Sequence, residues 1–189
     1  MAEGKLFYVI GPSGSGKDSL MRYARARLAD NPGVVFAHRY ITRPVELQGE
    51  NHIALTETEF DSRLAAGLFA MHWSSHGLRY GIGREIDVWL TKGCNVVMNG
   101  SREYLQQARE HYPELAAVWV EVSSEVLKAR LQARGRENAT QIAARVARAA
   151  QFRLDNGGAY VVRNDGPLEQ AGEQLRALIG SKPKVASCA

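Results

Sequence analysis

The chain has 189 residues, 45% hydrophobic and 23% charged, with 24 Lys+Arg against 20 Asp+Glu for a formal net charge of +4. One domain takes roughly 100–200 residues and at this size buries about 70% of its unfolded surface without staples; the composition excludes a disordered chain. Two cysteines, Cys94 and Cys188, exclude a disulfide framework and a four-ligand zinc site.

Short apolar runs alternate with helical patterns along the chain. Leu6–Ile10 reads as a buried strand. Leu20, Ala24 and Leu28 recur at helical spacing, and Asp30-Asn31-Pro32-Gly33 ends that helix. Val34–Ala37 is a second strand. Thr56-Glu57-Thr58-Glu59 is a capping box, with Phe60 and Leu64 on one face of the helix it opens. Phe69, Met71 and Trp73 alternate as a strand does. Ile86, Trp89 and Leu90 mark a helix stopped by Gly93, and Asn95–Met98 is a buried strand. Leu105 and Ala108 mark a helix ending near Pro113. Ala117–Val122 is a strand, after which Ser123 caps the helix carrying Val126, Leu127 and Leu131. Ile142 and Val146 mark a further helix, Ala159–Val162 a strand, and Leu168, Ala171, Leu175 and Leu178 a last helix before Gly180. This alternation predicts an α/β fold, a mostly parallel sheet covered by helices on both faces. Thr42–Thr58 and Ser74–Arg84 are least committed to the sheet, and loops of such sheets carry the chemistry. Met1–Lys5 has no signal-type start, and no apolar run approaches the ~20 residues of a membrane span, so a cytoplasmic protein is expected.

Gly11-Pro12-Ser13-Gly14-Ser15-Gly16-Lys17 joins the first strand to the first helix. This G-x-x-x-x-G-K pattern turns backbone N–H groups onto phosphate oxygens, the helix N-terminus adds positive potential, and Lys17 reaches the transferring phosphate. The next position departs from the pattern. Where Ser or Thr would bind Mg²⁺, the chain has Asp18, followed by Ser19. The Asp18 carboxylate is a hard ligand for Mg²⁺; it could instead only favour the helix N-terminus.

Lys128, Arg130, Arg134, Arg136, Arg145, Arg148 and Arg153 stand against Glu137 alone between residues 128 and 153, which gives this window +6 and the rest of the chain −2. Arg145 and Arg148, three apart, share a helical face, and Gly135 permits a hinge. Beside a phosphate loop, this array suits a triphosphate whose charge must be neutralised during transfer. Phe152 is the only aromatic residue in the window, so base stacking on nucleic acid is poorly served.

From Leu6 to about Ile179 the chain resembles the guanylate-kinase-like P-loop nucleoside monophosphate kinases. The residues that carry the resemblance are the 11–17 loop, Thr42-Arg43-Pro44, Tyr80-Gly81, the run from Arg130 to Glu137, Arg145, Arg148 and Asn164-Asp165. The resemblance implies a three-layer sandwich around a five-stranded sheet within residues 1–180. It also implies an acceptor-binding segment at about 38–84, an arginine-rich lid at about 128–153 and a flexible tail at 181–189. It further implies ATP at Gly11–Ser19, with Arg130 and Asn164 near the adenine, and Lys17, Arg134, Arg145 and Arg148 as the catalytic cations.

The departures point further. Glu46 replaces a second phosphate arginine, His52 a tyrosine, Met71 the acid that reads guanine and Asn99 a carboxylate. Loss of the guanine reader removes most specificity for guanine. His72, His76, Arg79 and Tyr80 lie where the base site is expected, and Asn99, Ser101 and Arg102 end a strand at the same crevice. With the Gly-Lys-Asp loop, these resemble the ribose 1,5-bisphosphate phosphokinases of phosphonate utilisation. The implied reaction is ATP + ribose 1,5-bisphosphate → ADP + 5-phosphoribosyl 1-diphosphate. That acceptor has two phosphates and no base. Arg39, Arg43, Arg79 and Arg102 supply cations, Asn99 and Ser101 can bond ribose hydroxyls, and His52, His72 and His76 are further candidates. The implied partners are these two small molecules with Mg²⁺, no nucleic acid and no membrane; a homodimer is a possible assembly.

Three other readings compete. One is a nucleoside monophosphate kinase of relaxed base choice. Another is a non-catalytic binding module, which tends to lose the loop lysine and lid arginines kept here. The third is a nucleic-acid binder. His38 and His111 read as structural or solvated, and Trp73, Trp89 and Trp119 as core.

Overall fold

The computed structural model describes residues 4–44, 52–135, 138–151 and 158–180. Glu46, Arg136, Glu137, Phe152, Arg153, Cys188 and the 181–189 tail lie outside the described residues. Five strands, β1 (Leu6–Ile10), β2 (Val34–Phe36), β7 (Asn95–Asn99), β8 (Ala116–Glu121) and β9 (Tyr160–Arg163), form a parallel sheet in the order β2-β7-β1-β8-β9. Strand alternation divides the core. Phe7 and Val9 join Leu20, Ala24, Leu175 and Ile179, which come from α1 (Lys17–Arg27) and α7 (Leu168–Gly180). Leu6, Tyr8 and Ile10 join Ile86, Leu105 and Ala108, from α3 (Glu85–Thr91) and α4 (Leu105–His111), on the other face. The result is the expected three-layer sandwich with its chemistry at the carboxyl ends of the strands.

A second sheet departs from the expected pattern. β3 (Arg39–Ile41), β4 (His52–Ala54), β5 (Phe69–Ser75) and β6 (Leu78–Gly83) pair in the order β4-β3-β6-β5, with β6 antiparallel to both neighbours. Residues 78–83, expected to be uncommitted, are therefore a central strand of this sheet. Gly81 and Gly83 hide the strand signal there. The β5–β6 turn is His76-Gly77, both with positive φ (53° and 74°), a two-residue type I′ hairpin. A register shift between Phe69 and Met71 re-aims β5. Phe69 packs on Phe60 of α2 (Glu57–Ala65), whereas Met71 joins Ile82 in the core shared with the main sheet. The capping box that opens α2 is complete: Glu59 N–H bonds Thr56 Oγ1 and Thr56 N–H bonds Glu59 Oε2.

The segment expected to be a lid contains α5 (Ser124–Arg134) and α6 (Ala139–Gln151), held together by Leu127, Leu131 and Ile142. Ser123 caps α5, and Gly135 ends it in the left-handed conformation (φ 65°).

Candidate active site

The loop between β1 and α1 is shaped by side chains that arrive from far along the chain. Asn164, at the end of β9 and buried, donates through Nδ2 to the Ser15 carbonyl at 2.7 Å. Arg130 of α5 donates to the same oxygen at 3.3 Å. Arg145 of α6 reaches across the loop to Ser13 Oγ at 2.8 Å. Gly16 has φ 83°, and a Cβ there would lie 2.4 Å from Asn164 Nδ2, so both backbone and space demand glycine. Gly14 (φ 92°) lies under Leu127 and Leu131, in a conformation that L side chains rarely adopt and with only tight space for a Cβ. Pro12 accepts from Ser15 N–H at 3.0 Å and closes the turn. Gly11 packs on the Val120 carbonyl of β8. Ser15 Oγ and Asn164 Oδ1 are buried without a hydrogen-bond partner among the described residues.

Asp18 stands in the first turn of α1, where its charge suits the helix end, but no side chain caps that helix. Its carboxylate accepts from Asn99 Nδ2 at 2.8 Å and lies 3.7 Å from Lys17 Nζ. Lys17 is largely covered, whereas the Asp18 side chain is 62% exposed and open to a ligand. Ser19 follows on the same turn. Asn99 ends β7, beside β1, so the strand order alone brings it to the loop.

The turn after Asn99 is fixed by Tyr8 of β1. The Tyr8 hydroxyl donates to the Ser101 carbonyl and accepts from Ser101 N–H, both at 3.0 Å. The Tyr8 ring lies so close to Gly100 that no Cβ fits there. Burial pushes the Tyr8 hydroxyl well above its ordinary range, so it stays protonated. Arg102 follows, half-buried. Burial holds its guanidinium below the ordinary value, Glu103 opposes this, and the like charge of Arg148 adds to it. Arg134 is exposed in the last turn of α5.

On the second sheet, strand parity sorts the acceptor candidates. Trp73 pairs with Tyr80, and Tyr80 with Ile41, so these three share one face. Arg39 is on that face too and sets its guanidinium 5.0 Å from the Tyr80 ring centroid. His52, paired with Arg39, is buried there with its Nε2 3.2 Å from the Arg43 carbonyl. The Arg43 Nε is buried with no hydrogen-bond partner among the described residues.

Arg79, His72 and His76 do not join this group. Arg79 is one residue out of phase with Tyr80. Its guanidinium lies over Phe60 and pairs with Asp61 at 2.5 Å and Glu57 at 3.4 Å, both on α2. His72 pairs with Gly81 on that same far face and is exposed. His76 is the left-handed residue of the hairpin tip, its Nδ1 2.8 Å from Ser75 Oγ. A surface cavity lined by Tyr40, Arg63, Phe69 and Glu85 also opens on the far face, away from the phosphate loop.

Residues 6–156 match the protein family described as "AAA domain". The chain is 71% identical over 179 residues, 95% of its length and 94% of the relative's, to "Ribose 1,5-bisphosphate phosphokinase PhnN" of Thiobacillus denitrificans. It is 54% identical to the protein of that name from Desulfomicrobium baculatum, covering 93% of this chain and 94% of the other. This chain belongs to the ribose 1,5-bisphosphate phosphokinase family. Its fold is that of guanylate kinase from Anaplasma phagocytophilum, with TM-score 0.68 over 97% of this chain and 89% of that one, at 16% identity. Within this member of the family, Tyr8 and Tyr104 are the site-shaping residues that sequence reasoning missed. Tyr8 lies in an apolar strand, where it reads as core, and only its Ser101 contacts reveal its role. Tyr104 stacks on Trp73 from the loop preceding α4.

Proposed function

We propose that this chain transfers the γ-phosphoryl group of ATP to the 1-phosphate of ribose 1,5-bisphosphate, giving ADP and 5-phosphoribosyl 1-diphosphate. The observation that carries the reading is the 71% identity, over 95% of the chain, to a relative of that name. The geometry agrees with it. In the transfer, the bond between the γ-phosphorus and its bridging oxygen breaks, and one forms to an oxygen of the 1-phosphate. That oxygen is already ionised near neutral pH, so no general base is required, and catalysis rests on alignment and charge stabilisation.

Lys17 and the loop N–H groups hold the triphosphate, and Arg145, already on Ser13, brings the lid to it. Arg134 and Arg148 add positive charge from the same helices. Arg39, Arg43 and Arg102 take the acceptor's phosphates. The Arg102 guanidinium, held below its ordinary value by burial, is a cation that an anion would favour. Ser101 and Asn99 lie at the ribose, and His52 steadies the Arg43 backbone. Asn164 Oδ1 offers an acceptor beside the adenine. The donor set fits Mg²⁺: an exposed hard carboxylate, Asp18, oriented by the Asn99 amide. When bound, Mg²⁺ neutralises charge on the phosphates. Residues 1–180 act as one kinase unit in this reading, in the cytoplasm.

Incubation with MgATP and ribose 1,5-bisphosphate, resolved by phosphorus NMR, should give new diphosphate resonances together with ADP. With GMP as acceptor no such signal should appear. Product from GMP alone would overturn the assignment in favour of a nucleoside monophosphate kinase.

A further inference from the structure

The acceptor face of the second sheet carries a stack of rings. Trp73 lies parallel to Tyr80, centroids 5.5 Å apart with 4° between planes. Its other neighbour is Tyr104, at 5.4 Å and 27°. β6 lies between β3 and β5, so Arg39 and Trp73 cover Tyr80 from opposite sides. Trp73 is therefore sandwiched between two rings, and Tyr80 between a ring and a guanidinium. Beneath the stack, Met71 and Ile82 are buried and apolar, with no group to bond the edge of a heterocycle.

We propose that Trp73 occupies the slot a nucleobase would take, and so makes the acceptor site selective for a sugar phosphate without a base. The indole is a planar pair of fused rings, as a purine is, and it already makes the stacking contacts a purine would make. The register shift between Phe69 and Met71 delivers it, by turning Met71 and Trp73 toward the main sheet while Phe69 stays on α2. Tyr104, the residue that precedes α4, stacks on the indole and so brings the start of that helix to β5. A base entering this slot must displace Trp73 from both neighbours and then faces the apolar Met71 and Ile82, so exclusion is built by filling rather than by charge.

This inference rests on the acceptor assignment above, and its test separates the two. Trp73→Ala should bind GMP at least about tenfold more tightly than the parent by calorimetry, because a slot of purine shape has opened. Free indole should compete with GMP and raise the melting temperature of the variant, as ligands of engineered cavities do. Trp73→Phe, which keeps one ring, should gain less. If Trp73→Ala does not fold, Trp73→Phe decides, with an expected gain of about threefold in GMP affinity. A folded variant that binds GMP no better than the parent overturns the proposal while leaving the acceptor assignment intact. A parent that phosphorylates GMP and not ribose 1,5-bisphosphate overturns both.

Discussion

The phosphate loop takes its shape from polar side chains that cross long stretches of sequence, Asn164 and Arg130 onto Ser15 and Arg145 onto Ser13. The second sheet takes its shape from rings stacked between adjacent strands, Tyr80 on Trp73 on Tyr104. The difference follows from the ligands the two regions are proposed to hold. A triphosphate is bound by directed N–H groups, which tolerate little displacement, so the loop that carries them is braced by hydrogen bonds at Ser13 and Ser15. A small acceptor is chosen by the space left to it, and close-packed rings define space better than hydrogen bonds do.

Replacing Lys17 should strike the loop hardest. Lys17→Ala is expected to lower kcat by about 10³-fold or more, with cooperative unfolding intact, because the charge it supplies is proposed to act on the transferring phosphoryl group. A smaller loss, near tenfold, would move the catalytic weight to the lid. Arg145→Ala should lower kcat by about 10²-fold and raise the KM for ATP less; the reverse pattern would make Arg145 a ground-state contact.

Gly16→Ala tests the bracing itself. It forces a Cβ against Asn164 Nδ2 at a positive φ, and should cost about 2–3 kcal/mol in urea unfolding together with a rise in the Kd for ATP. Unchanged stability would mean that Asn164 yields. Tyr8→Phe tests the proposed acceptor side. It leaves Ser101 N–H and C=O without their shared partner and should cost about 1–2 kcal/mol, with KM rising for the acceptor and not for ATP.

The capping box gives the smallest effect. Hydrogen bonds from Thr56 hold the Glu59 carboxyl below its ordinary range. Its contribution is therefore present above the unfolded carboxylate range, about 4.3, and fades as pH falls through the lower folded value. Glu59→Gln should therefore lower stability slightly at neutral pH, leave it nearly unchanged at low pH and so flatten the acid side of the profile, as read from melting temperature against pH.

The loop between β1 and α1 and the five-stranded sheet are legible in sequence because each has a local signature: a glycine spacing, and apolar runs at regular intervals. The second sheet is not. β3 and β4 have three residues each, too few for periodicity, and β6 carries Gly81 and Gly83, which suppress the strand pattern. Without that sheet, the phase of Arg79 against Tyr80 could not be read. A one-residue difference put an anticipated phosphate ligand into an ion pair with α2. Ser75-His76-Gly77 reads as a histidine-bearing site segment until the pairing of Ser75 with Leu78 shows a hairpin tip.

The hydrogen bond from Asn164 to Ser15 spans 149 residues of sequence. That contact exists only while β9 is docked on β8 at the sheet edge. The nucleotide cradle is thus incomplete in any state from which the edge strand has come away. A nucleotide that binds the complete cradle in preference to such states holds the edge strand down by mass action, so strand docking and ligand affinity are two readings of one equilibrium.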